Sequence, residues 1–143
     1  MEKFISDSPQ KTEEIAAKFA EKLHGGEVIA FTGNLGAGKT CFTRGLAKGL
    51  GYKGDVTSPT FALINEYLGG RINLYHYDMY RISSWDELYS SGFFEYLDEN
   101  GVIAVEWSEN IENALPDNTY YVEIKMTDFN TREISIYKKG EAF

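Results

Sequence analysis

The fold is decided by residues 28–50, which read VIAFTGNLGAGKTCFTRGLAKGL. This stretch opens with an apolar run at 28–32 that predicts a β-strand. Residues 33–40, GNLGAGKT, then match the phosphate-loop pattern G-x-x-x-x-G-K-[ST] at every fixed position. From about Lys39 onward, apolar side chains recur on one face at the spacing of a helix. Strand, glycine-rich loop and helix in this order predict a site where backbone N–H groups and a helix N-terminus bind a phosphate.

The residue types of this loop suit a bound nucleotide. Gly36 and Gly38 let the backbone wrap the phosphates without a Cβ in the way. We expect Lys39 to reach the β- and γ-phosphate oxygens and the Thr40 hydroxyl to ligate Mg²⁺. The alternative is a glycine-rich turn with an incidental lysine. The expected nucleotide contacts of the loop are Asn34, Leu35, Gly36, Ala37, Gly38, Lys39, Thr40 and Cys41.

Two carboxylates compete for the other metal-binding position. Residues 102–105 are wholly apolar, which suits a strand covered on both faces in a parallel sheet, and Glu106 ends the run. We therefore expect Glu106 at the carboxyl edge of the sheet, beside the phosphate loop, and favour it as the metal ligand. Asp78 ends an amphipathic strand in HYDMYR and is expected to hold the metal's water shell or to orient the attacking water. The structural alternative is a turn cap at Asp78 and a solvated strand end at Glu106.

A further candidate is the segment DVTSPTF at 55–61, between the phosphate-loop helix and the next strand. Many P-loop proteins carry a loop there that senses the γ-phosphate, so Thr57 or Thr60 could contact nucleotide or metal. The alternative is a proline-stiffened loop that leads into a strand. For His76 and Trp107 the local sequence favours packing residues, and a functional role, such as a base at His76, is the alternative.

The rest of the chain predicts a mixed α/β fold. The first half adds a strand at 3–6, a helix begun by Ser8 and Pro9 and stopped by Gly25 and Gly26, and extended runs at 61–68 and 71–78. The second half adds a short helix from a capping box at Ser84 and Glu87 into Phe94, and a closing hairpin of runs at 120–126 and 133–137. Gly69 and Gly70 predict a two-residue antiparallel hairpin turn. We expect a single domain over residues 1–143, a P-loop NTPase-like mixed β-sheet flanked by helices, with antiparallel hairpins.

Composition and charge exclude several function classes. The 143 residues suit one domain, and 43% hydrophobic residues are ample for its core. Cys41 is the only cysteine, so no intramolecular disulfide can form, which fits a reducing cytosol. A formal net charge of −8 argues against strong unaided binding to nucleic acid or to an anionic membrane. The N-terminus lacks a signal-peptide pattern and no apolar run would span a bilayer, so we expect a soluble cytoplasmic protein.

Four ordered motifs resemble the bacterial TsaE (YjeE) family: GNLGAGKT at 33–40, TSPTF at 57–61, HYDMYR at 76–81 and EW at 106–107. Residues 86–88 (DEL) and 95–97 (EYL) also resemble the family, so the match covers nearly the whole chain. The resemblance implies a P-loop ATPase needed for threonylcarbamoyladenosine formation beside the anticodon of tRNAs that read codons beginning with A. In the family, TsaD transfers the threonylcarbamoyl group, TsaB supports it, and TsaE joins them and hydrolyses ATP. The tRNA is then reached indirectly, through the complex.

The resemblance also implies roles for individual residues. Carried over by motif, Lys39 and Thr40 bind phosphate and Mg²⁺, and Glu106 is a metal ligand. Asp78 supports hydrolysis, so the implied catalytic set is Lys39, Asp78 and Glu106. Trp107 borders the nucleotide.

The chain departs from the family pattern at two positions of the loop. Asn34 stands where the family usually has Asp, and Cys41 where Thr or Ser is common. Neither change breaks the loop, although the lost carboxylate at position 34 could alter contacts with metal, water or partner. The C-terminal hairpin is the least matched part. There Arg132 is a candidate nucleotide contact, and an ordinary surface charge is an equally good interpretation.

Two other function classes remain open. A small-molecule kinase would use the same loop, but 143 residues leave little chain for an acceptor pocket with a closing lid. The second alternative is a nucleotide-dependent switch with negligible turnover. The chain has no Asn-Lys-x-Asp stretch of the kind that selects guanine, which favours ATP over GTP as the nucleotide. On the preferred interpretation the isolated protein hydrolyses ATP slowly, because the sequence shows no base beyond Asp78 and no dedicated arginine finger. Partner proteins are then expected to accelerate hydrolysis.

Overall fold

The computed structural model describes residues 1–33, 38–54 and 64–141 of the chain. The strands in these ranges are β1 Glu2–Ser6, β2 Val28–Gly33, β3 Ile64–Tyr67, β4 Leu74–Asp78, β5 Val102–Glu106, β6 Tyr120–Asp128 and β7 Thr131–Lys138. The helices are α1 Pro9–Ala20, α2 Lys39–Gly49, α3 Trp85–Ser90 and α4 Phe93–Leu97, and a 3₁₀ segment covers Ser108–Ala114. Across these described ranges, we find no helix with both the length and the apolar character to span a bilayer.

The strands form one mixed sheet in the order β1-β7-β6-β2-β5-β4-β3. β2 lies at the centre and pairs in parallel with β5 and β6, while β4 pairs in parallel with β5. The pairs β1–β7, β3–β4 and β6–β7 are antiparallel. The predicted mixed α/β class, the parallel placement of β5 and the closing hairpin are confirmed.

Helices cover both faces of the sheet. One face, here called the α1–α2 face, packs against α1 and α2 through buried residues such as Phe31 and Phe42. The opposite face packs against α3, α4 and the 3₁₀ segment through residues such as Phe93 and Ile111. β5 contributes alternate residues to both clusters, as its wholly apolar sequence predicts for a strand buried on two sides.

The helix α1 begins where the sequence predicts. Ser8 is the N-cap, its Oγ accepting a hydrogen bond from the Lys11 N–H at 3.1 Å, and Pro9 follows in the first turn. The Oγ atoms of Ser6 and Thr12 lie 2.7 Å apart, a buried hydrogen bond that joins β1 to α1. The start of α1 is therefore fixed both locally and against the sheet.

The helices α1 and α2 approach closely because small residues face each other. A Cβ on Gly45 would lie 2.4 Å from the Glu13 carbonyl oxygen and 2.7 Å from the Ala16 Cβ. One turn later, a Cβ on Gly49 would lie 2.7 Å from the Ala20 Cβ. Both glycines are thus needed for the contact that holds the helix after the phosphate loop in place.

The β3–β4 hairpin differs from its prediction in the turn. β3 ends at Tyr67 and β4 starts at Leu74, so six residues connect the strands where two were predicted. Arg71 explains the difference: its guanidinium donates hydrogen bonds to the carbonyls of Ala20 at 2.7 Å and Leu23 at 3.0 Å. Ala20 is the last residue of α1 and Leu23 lies just beyond it, so the arginine binds carbonyls at the C-terminal end of the helix instead of starting the strand.

The helix predicted from Ser84 into Phe94 is divided into α3 and α4. The capping box is confirmed, since Ser84 Oγ accepts a hydrogen bond from the Glu87 N–H at 3.2 Å. Gly92 adopts a left-handed φ of 84° between the two helices and ends the first of them. The 3₁₀ segment after β5 was not predicted, because its polar sequence has no helical period.

Gly45→Ala is expected to destabilise the fold, although alanine is the better helix former. The gain in helix propensity is about 1 kcal/mol, whereas forcing a methyl group into a packed contact costs about 1–3 kcal/mol. Because the new Cβ meets the rigid backbone at Glu13, we expect the free energy of unfolding, measured with urea, to fall by up to about 2 kcal/mol. Glu14→Ala, at an exposed position of α1, is the control. Equal stability of Gly45→Ala and the wild type would contradict the close contact.

Candidate functional site

The carboxyl ends of β2, β5 and β4 meet at one edge of the sheet, here called the carboxyl edge. These three strands are neighbours and parallel. β2 ends at Gly33, and α2 begins at Lys39 with Gly38 as its N-cap in a left-handed conformation (φ 108°). In the register of β4 and β5, Asp78 lies opposite Glu106. The structure therefore brings the start of α2 and both predicted carboxylates to the edge where parallel sheets bind ligands.

Strand alternation places the two carboxylates on the α1–α2 face. Leu74 in β4 and Ala104 in β5 belong to the apolar cluster on that face. Asp78 and Glu106 lie an even number of residues further along the same strands, so they project to the same side. Lys39 begins α2 on this side, with its side chain only 8% exposed. Lys39, Asp78 and Glu106 thus share one edge and one face.

His76, for which the sequence favoured packing over a functional role, contacts a candidate site residue. It is fully buried, and its Nε2 lies 2.8 Å from Glu106 Oε2. This is an ion-pair distance, and the contact is counted as an ion pair and not as a hydrogen bond of good geometry. Among the described residues, His76 Nδ1 has no hydrogen-bond partner. The signal that could have found this contact is the alternation of two neighbouring parallel strands, which puts positions 76 and 106 on one face.

The Glu106 carboxyl is held in its ionised form. Burial raises its pKa, but the contact with His76 and the positive charge of Lys39 outweigh burial and bring the pKa below its usual value. The side chain keeps 14% of its surface exposed. At neutral pH, Glu106 is therefore an anionic oxygen donor at the carboxyl edge.

Asp78 is half-buried and its orientation is fixed by the backbone that follows it. Its Oδ1 accepts a hydrogen bond from the Tyr80 N–H at 3.0 Å. This is the turn-capping contact that the structural alternative predicted. It occupies one carboxylate oxygen and places the side chain next to Glu106 in the strand register.

Trp107 lies at the end of β5 in a strained conformation. Its φ of 60° and ψ of 40° are left-handed, which is uncommon for a bulky residue. The indole packs against the exposed ring of Tyr80, with ring centroids 4.8 Å apart. Asn110 donates hydrogen bonds from Nδ2 to the carbonyls of Met79 at 2.8 Å and Tyr80 at 3.1 Å. The segments that follow β4 and β5 are thereby tied together beside the carboxyl edge.

Of the other predicted site residues, some are described and some are not. Cys41 is half-buried in α2, with Arg44 Nη1 3.8 Å from its Sγ. Arg132 is half-buried at the start of β7, two strands from β2, and its Nη1 donates hydrogen bonds to the carbonyls of Phe129 and Thr131 in its own turn. The candidate residues outside the described ranges are Asn34, Leu35, Gly36, Ala37, Thr57 and Thr60.

The donors at this edge suit a magnesium ion. The Glu106 carboxylate and the Thr40 hydroxyl, in the first turn of α2, offer the hard oxygen atoms that Mg²⁺ prefers. Residues 1–33, 38–54 and 64–141 contain no cluster of three His, Cys, Asp or Glu side chains that would form a closed metal site. Nucleotide-bound Mg²⁺ needs no such cluster, because phosphates and water supply most of its ligands.

Comparison with known proteins finds relatives over nearly the whole chain. The family profile described as threonylcarbamoyl adenosine biosynthesis protein TsaE matches residues 6–134. A Bacillus subtilis protein named tRNA threonylcarbamoyladenosine biosynthesis protein TsaE is 40% identical over 141 residues, covering 99% of this chain and 88% of that protein. A Treponema pallidum protein of the same name is 38% identical over 132 residues, covering 92% of this chain and 97% of its own.

The fold is also similar to that of a solved structure. The crystal structure of Bacillus subtilis YdiB superimposes with a TM-score of 0.77 at 37% sequence identity. The superposition covers 97% of this chain and 86% of that one. This likeness confirms the predicted fold class.

His76→Leu is expected to raise the pKa of the Glu106 carboxyl. The substitution removes the histidine contact, so burial, which raises the pKa, is opposed only by the charge of Lys39. NMR titration of the Glu106 side-chain carboxyl carbon, assigned with Glu106→Gln, measures the change. His24→Leu, at an exposed histidine, is the matched control. If the pKa were the same in His76→Leu and the wild type, the contact would have no influence on the carboxylate.

Proposed function

This chain belongs to the TsaE family, and from that membership we propose that it is a Mg²⁺-dependent ATPase that works with TsaB and TsaD in the threonylcarbamoyladenosine modification of tRNA. Its relatives are named for the biosynthesis of this modified nucleoside. The observation that carries the proposal is the grouping of Lys39, Asp78 and Glu106 on one face of the carboxyl edge, directly after the phosphate-loop sequence. A basic group, a nearby carboxylate pair and a helix N-terminus are the parts that phosphoryl transfer from ATP requires.

The start of α2 binds the triphosphate in this proposal. The first N–H groups of a helix have no partner within it, and together with the helix dipole they attract an anion. Lys39 adds an ammonium from the first turn and reaches the β- and γ-phosphate oxygens. Thr43 Oγ1 donates a hydrogen bond to the Lys39 carbonyl at 2.9 Å and so holds this turn in shape.

Glu106 and Thr40 hold Mg²⁺ beside the phosphates. When bound, Mg²⁺ neutralises the charge that develops on the β- and γ-phosphate oxygens. Glu106 is already ionised for this task, because His76 and Lys39 lower the pKa of its carboxyl against the effect of burial. His76 also limits the rotation of the carboxylate through its 2.8 Å contact with Oε2.

Asp78 supports hydrolysis by orienting the attacking water. The hydrogen bond from the Tyr80 N–H fixes one oxygen of the Asp78 carboxylate. The other oxygen is then available to accept a hydrogen bond from the attacking water. Trp107, packed on Tyr80, borders the nucleotide. Arg132, at the start of β7, is the more distant candidate for a nucleotide contact.

The isolated protein is expected to hydrolyse ATP slowly. Fast phosphoryl transfer often uses an arginine that stabilises the transition-state charge. In the described part of the chain, Arg44 contacts Glu13 at 3.5 Å and Arg71 binds the carbonyl end of α1. We propose that TsaB and TsaD complete or order the site, and that tRNA is reached through them.

Phosphate release from Mg-ATP tests this proposal. We expect slow release by the protein alone and an increase of about tenfold or more on addition of the TsaB–TsaD pair. Lys39→Ala is expected to abolish ATP binding and release, whereas Lys53→Ala, at an exposed lysine after α2, keeps both. Phosphoryl transfer to a metabolite in place of phosphate release would indicate a small-molecule kinase. ATP binding with no turnover in either condition would indicate a nucleotide-dependent switch.

Glu106→Ala distinguishes a metal ligand from a structural residue. We expect Mg²⁺-dependent hydrolysis to fall by about 100-fold or more, because a metal ligand contributes several kcal/mol of charge stabilisation. Nucleotide binding without metal, measured by calorimetry in EDTA, is expected to change little. Glu14→Ala, at an exposed glutamate of α1, serves as the control. Equal losses of hydrolysis and of metal-free binding would argue against ligation by Glu106.

A further inference from the structure

The negative charge of the chain is concentrated in residues 80–114. This segment contains eight acidic residues and a single basic one, Arg81, and so carries −7 of the formal net charge of −8. Glu106 belongs to the nucleotide site. The other seven acidic side chains are all exposed: Asp86, Glu87, Glu95, Asp98, Glu99, Glu109 and Glu112.

These seven carboxylates receive no compensating charge from the described part of the chain. Elsewhere in the described ranges some acidic side chains are paired with cations, as in Glu2 with Lys22 at 2.8 Å and Glu123 with Lys125 at 3.0 Å, and others such as Glu14 are not. Within the described ranges none of the seven forms an ion pair. The result is a local excess of negative charge that the chain itself leaves uncompensated.

An exposed aromatic cluster lies on the same segment. Trp85 and Tyr89 in α3 are 53% and 60% exposed, and both rings pack against Phe94 of α4. The Trp85 and Phe94 rings are stacked with centroids 6.4 Å apart, and the Tyr89 and Phe94 centroids are 4.8 Å apart. The rings hold one another in place while large parts of their faces remain in water, which is typical of an interaction site.

A cavity adjoins this cluster. It has a volume of about 160 Å³ and lies between α3 and the 3₁₀ segment. Its lining combines the apolar side chains of Ile82 and Trp85 with the carboxylates of Glu109 and Glu112. A lining that contains both apolar residues and glutamates suits a long side chain that has an apolar stem and a cationic end.

We propose that Trp85, Tyr89, this cavity and the seven carboxylates form a docking surface for a partner protein that presents arginine or lysine beside apolar residues. A guanidinium can stack on the Trp85 ring while its charge interacts with the glutamates of the cavity lining. The same negative charge repels the phosphates of RNA, so the occupant is a protein. The inference rests on the proposed function, because the partner meant is the one that stimulates ATP hydrolysis.

The docking surface is joined to the nucleotide site through the backbone. Asn110 in the 3₁₀ segment holds the carbonyls of Met79 and Tyr80, the two residues directly after Asp78. The Met79 N–H donates a hydrogen bond to the Glu106 carbonyl at 3.0 Å. A partner bound to α3 and the 3₁₀ segment therefore contacts a segment that is hydrogen-bonded to the backbone after Asp78 and, through Met79, to Glu106. This gives a physical route by which partner binding can stimulate ATP hydrolysis.

The test measures binding of the purified TsaB–TsaD pair to variants of this chain. Trp85→Ala combined with Tyr89→Ala is expected to weaken binding at least about tenfold, since exposed aromatic anchors dominate interface energies. Ile5→Ala, at a residue that is also 60% exposed but lies on the edge strand β1, is the control for lost apolar surface.

Charge reversal tests the acidic part of the docking surface. Asp86→Lys with Glu109→Lys is expected to weaken binding and to slow association. Glu14→Lys with Glu21→Lys, on and beside α1, changes the net charge equally and is expected to leave binding intact.

Affinity for Mg-ATP, measured on each variant alone, separates the docking surface from the nucleotide site and is expected to be unchanged. If the wild type binds the pair and the α3 variants bind it equally well, the docking surface is wrong and the proposed function stands. If the wild type does not bind the pair at all, the proposed partnership fails and this inference fails with it. A change in the oligomeric state of the α3 variants alone, with binding to the pair intact, would mean that a second copy of the chain occupies the surface.

Discussion

The parallel register between β4 and β5 is the constraint on which the candidate site depends. It sets Asp78 opposite Glu106 and, through strand alternation, puts both carboxylates on the face that α2 covers. A shift of one residue in either strand would turn its carboxylate to the opposite face, away from Lys39. The wholly apolar sequence of β5 protects this register, because a shift would also bury Glu106 at a position now held by an apolar side chain.

The electrostatics of the site follow from that geometry. A carboxylate that is largely withdrawn from water loses hydration, and for Glu106 this loss alone would favour the neutral acid. His76 and Lys39 reverse the preference, one from the neighbouring strand and one from the first turn of α2. Sheet and helix must both be in place to keep the buried carboxyl ionised, so the fold holds at a fixed position a charge that burial alone would disfavour. The small-residue contact of Gly45 and Ala16 contributes indirectly, since it fixes the helix that carries the lysine.

Sequence alone predicts the parts of this structure that are encoded locally. The start of α2 at Lys39, the caps at Ser8 and Ser84 and the apolar residues of β5 each depend on residues close together in the chain, and the described elements follow them. The long β3–β4 turn depends on Arg71 reaching the end of α1, about fifty residues earlier, and no local pattern shows that. The contact of His76 with Glu106 likewise requires knowing that β4 and β5 are neighbours. Long-range pairing, which a single sequence does not display, accounts for both differences.

The two tryptophans of the chain lie on the two surfaces that we propose bind nucleotide and partner. Trp85 stands largely in solvent on α3, whereas Trp107 is half-buried against Tyr80 beside the carboxyl edge. The fluorescence of an indole in water has a longer emission wavelength than that of an indole packed against protein. The two tryptophans are therefore expected to differ in emission wavelength and in quenching by a soluble quencher. The unmodified protein therefore carries an intrinsic fluorophore at each of these surfaces, so that the proposed nucleotide binding and the proposed partner binding can be followed separately without an attached dye.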